Sequence, residues 1–480
     1  MSGQKDSPHQ SGGKPETLPL SKGIAYAIGQ LGWATLMMIV NLQLVYFYIP
    51  PYKTESGPVI EGAETVFPIF ITQASFFIVF NAIMLITGSG RIFDGITDPL
   101  IAGLSDRSRN PRGRRIPFLM YGSIPAALFC FLLFVPWVPG ESIWNIVGLL
   151  VIQFFFFVSI TMYVTPFFAL IAELGHTPRE RLNLSTYISI TYALGIIIAS
   201  QVPAIAGQLE NALQLEAVAA FQWAIGLLAV LATIFMLVPV FIIDERRYCV
   251  AQPADIPIMQ SIKECLANKN FLPYVAADFV YFGGLSIIMT GMNYYVTVLV
   301  GLEKEWVGLV MTIIVLSSFI WYPLVNILAK KFGKKAMVLL AFFIFCLPFG
   351  GIYFLGRLPI AAGAQILIVG TLASIPMAFL GVLPNAVLAD IAELDALQTG
   401  KRREGMYYAA RTFLQKMGQT IGLMLFASLA NFGVSTGDDL GLRLNGIAGV
   451  ILCGMAFLFF ARYREKQILA ETEKLQQTHG

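Results

Sequence analysis

An all-α membrane protein of twelve transmembrane helices, arranged as two halves of six, is the fold this sequence predicts, and three observations carry the prediction. The 480 residues are 56% hydrophobic and only 13% charged, about half the roughly 25% charge of a soluble domain. Apolar stretches of about 20 residues, the length that crosses a hydrocarbon core, recur along the chain. The loops between them alternate between strongly basic and nearly free of lysine and arginine. The mean hydropathy of +0.71 agrees.

The elements follow in order. Residues 1–21 are polar, rich in Ser, Gly, Pro and Lys, and lack the apolar core and cleavage site of a signal peptide. They read as a disordered cytoplasmic tail. Spans are expected over 24–49, 69–100, 115–137, 143–172, 184–207, 218–243, 271–299, 305–328, 335–356, 360–391, 405–432 and 443–462. The stretch 244–270, the longest polar interruption between spans, serves as a cytoplasmic linker. It separates an N-terminal six-helix bundle (22–243) from a C-terminal one (271–462), and 463–480 forms a cytoplasmic tail.

Charge sets the orientation. Arg107, Arg109, Arg112, Arg114 and Arg115 fall in one loop, and Arg179 and Arg181 in the next on that side. Arg246, Arg247, Lys263 and Lys269, then Lys330, Lys331, Lys334 and Lys335, then Lys401, Arg402 and Arg403 continue the series. The opposite loops hold only Lys53, Lys304, Arg357 and Arg443. The positive-inside rule puts both termini in the cytoplasm, which requires an even number of spans. Bacterial inner membrane is the expected location. The basic loops also echo each other: the Gly103–Arg115 segment after the second span has a counterpart in Ala329–Lys335, about 222 residues on. Pro166 with Glu173, Arg179 and Arg181 is matched by Pro384 with Asp390, Arg402 and Arg403. Such echoes suggest parallel halves about an axis along the membrane normal, with a path between them.

Composition excludes several classes. Basic residues punctuate apolar spans and form no continuous face for nucleic acid. There is no GxSxG, HExxH or GxxxxGK[ST] pattern, so neither an enzyme nor a nucleotide-driven pump is expected. The five cysteines (Cys130, Cys249, Cys265, Cys346, Cys453) form no CxxC pair. Three read as small apolar residues in spans, and Cys249 and Cys265 as loop thiols. No cofactor and no structural metal is expected.

The chemistry concentrates in Arg91-Ile92-Phe93-Asp94-Gly95-Ile96-Thr97-Asp98-Pro99 on the second span. Asp94 and Asp98 lie four apart, so a helix projects both carboxylates from one face. Each charge in hydrocarbon costs roughly 2.5–3.5 kcal/mol on insertion scales. Two acids against Arg91 leave a negative charge for an ion to neutralise, which points to a monovalent-cation site on a transport path; an ion-paired structural cluster is the plainer alternative. Carboxylates and hydroxyls suit Na⁺, and a carboxylate pair equally suits one shared proton.

At these motifs the chain resembles the glycoside–pentoside–hexuronide:cation symporters of the major facilitator superfamily, the melibiose permease group. The resemblance spans nearly the whole length. It rests on RIFDGITDPLIAGLSDRSRNPRGRR, on TPFFALIAELGHTPRERLNLSTY after the fourth span, and on ADIAELDALQTGKRREGMYYAARTF after the tenth. It implies two six-helix bundles working by alternating access, and Na⁺- or H⁺-coupled symport of a sugar, glycoside or related small solute. It implies a cation site of Asp94, Asp98, Thr97 and Thr161, with Lys416 and Arg91 balancing charge and Lys416 facing Asp94 when the cation has left. Asp106, Arg107 and Arg114, joined by Glu173, Arg179, Arg181, Asp390, Arg402 and Arg403, are the expected cytoplasmic gate, holding that side shut.

The family's galactoside-binding charges fall at Ala34, Val164 and Ser189, and its tryptophan falls at Phe168. The solute site is therefore expected to differ, with Gln30, Trp33, Phe168 and Asn293 as candidate contacts. A cation-coupled lysophospholipid or amphiphile transporter is the alternative, because related lysolipid carriers keep the ion residues around a more apolar cavity. A non-transporting membrane sensor is a third reading. The expected partners are a small-molecule substrate, the coupling cation and the lipid bilayer, and the protein is expected to be a monomer.

Overall fold

A computed structural model describes residues 17–52, 64–74, 81–176, 178–249, 265–399 and 404–479, and a helix coincides with each of the twelve expected spans. The N-terminal half is α1 (Leu20–Tyr48), α2 (Ala82–Arg107), α3 (Ile116–Leu132), α4 (Ile143–Leu174), α5 (Pro178–Ser200) continued by α6 (Val202–Leu213), and α7 (Ala217–Ile242). A short α8 (Glu245–Tyr248) opens the connection. The C-terminal half is α9 (Phe271–Tyr294) with a π-helical end (Tyr295–Leu299), α10 (Glu305–Phe332), α11 (Lys334–Phe354), α12 (Ala362–Thr399), α13 (Glu404–Leu429) and α14 (Leu440–Ala461). A last helix, α15 (Glu465–His479), lies within the expected tail and packs on α12.

Among the described residues, nine helical stretches are long and apolar enough to cross a membrane. Of the remainder, α3 is apolar with 17 residues. The other two are α2 and α13, the helices that carry Asp98, Arg411 and Lys416. Charge, rather than length, sets them apart: each has 26 residues. The second span begins later than residue 69, because Asn81 caps the helix by accepting the Met84 N–H at 2.8 Å. The apolar run before it is not helical at 69–74; Phe70 instead stacks on Phe47 at 5.6 Å. The same helix runs on through Arg107, so Asp106 and Arg107 are helical rather than in a loop.

The halves repeat each other contact by contact. α1 packs on α5 and α7, as α9 packs on α13 and α14; α4 packs on α2 and α3, as α12 packs on α10 and α11. Glu245 accepts the backbone N–H groups of Arg114, Arg115 and Ile116 at 2.8, 2.8 and 3.0 Å. Glu465 does the same for Lys334 and Lys335 at 2.8 and 2.9 Å. Both carboxylates thus satisfy the orphan donors at a helix start and meet the positive end of its dipole. Gly113 and Gly333 precede these starts with φ of 117° and 89°, and a Cβ on Gly113 would run into the Glu245 carboxylate. At the opposite end, Asn145 ties Val138 and Gly140, and Gln365 ties Gly356, Leu358 and Ile360. Glu245 is buried, and its three backbone bonds involve a charge. Glu245→Gln is therefore expected to cost on the order of 3 kcal/mol, read as a lower unfolding midpoint of the purified protein; an unchanged midpoint would rule out this capping role.

Close packing inside the C-terminal half rests on glycine. A Cβ on Gly422 of α13 would lie 2.0 Å from the Gly283 carbonyl oxygen of α9, so these backbones touch as small-residue membrane interfaces allow.

Between halves, α1 meets α9, α2 meets α13, and α5 and α6 meet α10. At the end away from the basic loops the seam is stitched by polar contacts. Asn293 donates to the Leu42 carbonyl and to Gln43 Oε1 at 2.9 and 2.8 Å. Tyr294 donates to Ile49 O at 2.7 Å, Asn81 to Ala427 O and Asn431 Oδ1 at 2.6 and 2.7 Å, and Lys304 pairs with Glu210 at 2.5 Å. Proline at the start of α6 breaks the fifth span at Gln201, whose side chain reaches Gly308 O and Thr312. Among the described residues, no hydrogen bond or ion pair joins the halves at the basic end.

Candidate functional site

Because α2 packs on both α4 and α13, it carries its polar residues into the seam. Asp98 Oδ2 accepts from Lys416 Nζ of α13 at 2.8 Å, and Oδ1 from Thr165 Oγ1 of α4 at 3.3 Å. The Asp98 and Lys416 side chains are 32% and 29% exposed, so the pair is wet rather than sealed in dry packing. Thr97 and Thr161 are buried with their hydroxyls 3.4 Å apart. Asp98, Thr161 and Lys416 line a cavity of about 170 Å³. Thus Asp98, Thr97, Thr161 and Lys416 are brought together as the sequence suggested, and Thr165 joins them. Lys416 pairs with Asp98, and the expected Lys416–Asp94 contact lies outside the described residues. The side chains of Arg91 and Asp94 lie outside the described residues.

A larger cavity of about 510 Å³ adjoins the first and shares Trp33, Asn41, Phe168, Tyr192, Gln415 and Gln419 with it. That size falls in the roughly 300–1,000 Å³ range of small-molecule sites. Gln30, Trp33 and Phe168 line it as expected. Gln30 Oε1 and Trp33 Nε1 are buried without a hydrogen-bond partner among the described residues. Phe168 meets Trp33 edge-on at 5.8 Å. Of the positions where the related carriers hold a charge, Ser189 lines the large cavity, Val164 lines the small one, and Ala34 is buried. Asn293 is not on the cavity wall. It is buried in the far-end seam, held by Gln43 and the Leu42 carbonyl, because its face of α9 packs on α1.

Of the expected gate charges, those whose side chains are described and paired have partners in their own half. Glu173 binds Arg114 at 3.0 Å and Arg115 at 2.8 Å, all in the N-terminal half. Asp390 binds Lys334 at 2.6 Å, both in the C-terminal half. Arg107 is exposed at the end of α2. The side chains of Asp106, Arg179 and Arg181, and the whole of Arg402 and Arg403, lie outside the described residues.

Sequence reasoning missed a second charged cluster on the cavity wall. Arg411 of α13 binds Asp278 of α9 through Nε at 2.9 Å and Nη2 at 3.3 Å, and donates through Nη1 to Asn385 of α12. Gln415 adds a bond to Asp278 at 2.9 Å. The signal was present: each is an ionisable residue inside a span, the criterion that selected Asp94 and Asp98.

Two packed, repeated helix bundles in a membrane, with cavities in the seam between them that carry a few polar and charged side chains, define the class of multi-pass membrane transporters. The chain matches the model of the MFS/sugar transport protein family over residues 25–462 and belongs to that family. It is 25% identical to an uncharacterised symporter of Synechocystis sp., covering 70% of this chain and 76% of that one. It is 24% identical to a candidate 2,3-dihydroxypropane-1-sulfonate exporter of Salmonella typhimurium, covering 90% of both. Among solved structures, a bacterial homologue of the human lysosomal transporter Spinster superposes with a TM-score of 0.61 at 13% identity, covering 94% of this chain and 97% of that one, a likeness of fold alone. The family and these neighbours are transporters, not enzymes.

Proposed function

We propose that the protein is a secondary active transporter that couples Na⁺ or H⁺ to the movement of a sugar, glycoside or related small organic solute by alternating access. The observation that carries the reading is the wet Asp98–Lys416 pair joining α2 of one half to α13 of the other. A cation or proton that neutralises Asp98 competes with Lys416, so ion occupancy and the contact between halves are linked. The oxygens available to a hard cation are the Asp98 carboxylate and the hydroxyls of Thr97, Thr161 and Thr165, with Asp94 one helical turn away. Gln30, Trp33 and Phe168 offer the solute hydrogen bonds and ring faces.

The positive-inside rule supports a reading with both termini and the basic loops on the cytoplasmic side of a bacterial inner membrane. The halves are taken as 22–243 and 271–462, working as a monomer. A small polar solute is preferred over a lysophospholipid because Gln30, Asn41, Ser189, Asn385 and Gln419 are spread around the cavity wall. The likeness to a sulfonated-triol exporter points the same way.

Uptake into proteoliposomes under an imposed Na⁺ or pH gradient tests the reading. An ion concentration gradient equivalent to 100 mV can sustain about a fiftyfold accumulation, expected to collapse when an ionophore dissipates the gradient. Accumulation indifferent to the ionophore would reject coupling.

A further inference from the structure

Ion coupling at Asp98 leaves Arg411 and Asp278 unused. Arg411 lines the larger cavity, whereas the buried Asp278 is not on its wall. The positive member of the pair therefore faces the cavity and the negative member sits behind it. A guanidinium has five N–H donors in a rigid fork. Asp278 takes two and Asn385 one. One N–H on each terminal nitrogen is left, and these are the donors the fork can still offer an oxyanion. The fork is held in place: Gln415 fixes the Asp278 carboxylate, and the Tyr274 ring lies 5.9 Å from the guanidinium. Across the cavity, Trp33, Phe168 and Tyr192 offer ring surface.

We propose that Arg411 is a specificity residue for an anionic group, so that the solute is a small polar molecule bearing one carboxylate, sulfonate or phosphate. This rests on reading the larger cavity as the solute site. The anion docks on the remaining donors of the fork while Asp278 keeps its own. The Arg411–Asp278 pair is neutral, so the incoming anion adds one negative charge to the seam. A cation at Asp98 offsets that charge, and each ligand strengthens the other's binding by the same factor.

The test uses the purified full-length protein and its unfolding midpoint, titrated with matched solutes. Glucose is set against glucuronate, glucose 6-phosphate and 6-deoxy-6-sulfoglucose. Glycerol is set against glycerate, glycerol 3-phosphate and the corresponding triol sulfonate. Each titration is run with and without Na⁺ and at lowered pH. At least one acidic member is expected to bind about tenfold to a hundredfold tighter than its neutral parent, and more tightly with the coupling ion present. Which acid wins identifies the anion. Arg411→Lys keeps the charge without the fork and should lose part of the preference. Arg411→Gln combined with Asp278→Asn removes both charges together, avoiding a lone buried carboxylate, and should bring acid and neutral parent to equal affinity. Equal binding in the wild type, no binding of any acid, or a preference surviving in the double variant each overturns the proposal. The ion-dependent shift of the solute-free protein reports on Asp98 separately. Its absence in the wild type counts against cation coupling, and its persistence beside a missing acid preference counts against Arg411 alone.

Discussion

Asp98→Asn is expected to abolish ion-driven accumulation while leaving a folded protein that still equilibrates its solute. The amide keeps the shape of the carboxylate and can still accept from Thr165, but it carries no charge for a cation or proton to neutralise. The accumulation ratio should fall from as much as about fiftyfold, under an ion concentration gradient equivalent to 100 mV, to unity. Lys416 loses its bond to Asp98; at 29% exposure its ammonium reaches water, so the fold should tolerate the change. Exchange of labelled for unlabelled solute across proteoliposomes, measured without a gradient, separates lost coupling from lost binding. Adding Lys416→Met to Asp98→Asn should restore any stability lost without restoring accumulation. Undiminished accumulation by Asp98→Asn would end the coupling role.

The spans were legible because the bilayer imposes one length and one polarity on every crossing helix. The candidate ion residues stood out for a related reason: charges placed in hydrocarbon contrast with their surroundings. Asp278 and Arg411 obey that rule too, but they are single charges on different helices, and only packing of α9 on α13 shows that they meet. Asn293 shows the reverse failure. A polar residue in a span can face a cavity or another helix, and its face follows from packing that sequence does not state. The basic-end charges stood out in the sequence, but which acid meets which base is given only by packing, as in Glu173 with Arg114 and Arg115. The internal repeat was audible only as loop echoes, because the repeated objects are a glycine at positive φ and a distant carboxylate. Glu245 and Glu465 lie in polar stretches where an acid draws no attention.

The far-end seam yields the second large effect. If turnover needs the halves to part at that end, tying Asn81 to Asn431 should stop it. Asn81 Nδ2 lies 2.7 Å from Asn431 Oδ1, joining α2 to the turn that follows α13. In a chain whose five free cysteines are replaced by serine or alanine, Asn81→Cys and Asn431→Cys joined by a short reducible bifunctional thiol reagent should bring transport to background. Solute binding in detergent should persist, because the cavity wall is untouched, and reduction of the linker should restore turnover. A control link between Gln398→Cys of α12 and Glu471→Cys of α15 stays within one half and should leave transport unchanged. The polar contacts at the far end give the physical reason. A state opened at the far end must give up the Asn293, Tyr294, Asn81 and Lys304 contacts and replace them by bonds at the basic end, so the two states differ in energy by only a few kcal/mol if both are to be populated. A covalent tie removes one state from that balance whatever the ion and solute contribute, and transport surviving the tie would mean that the halves do not separate there.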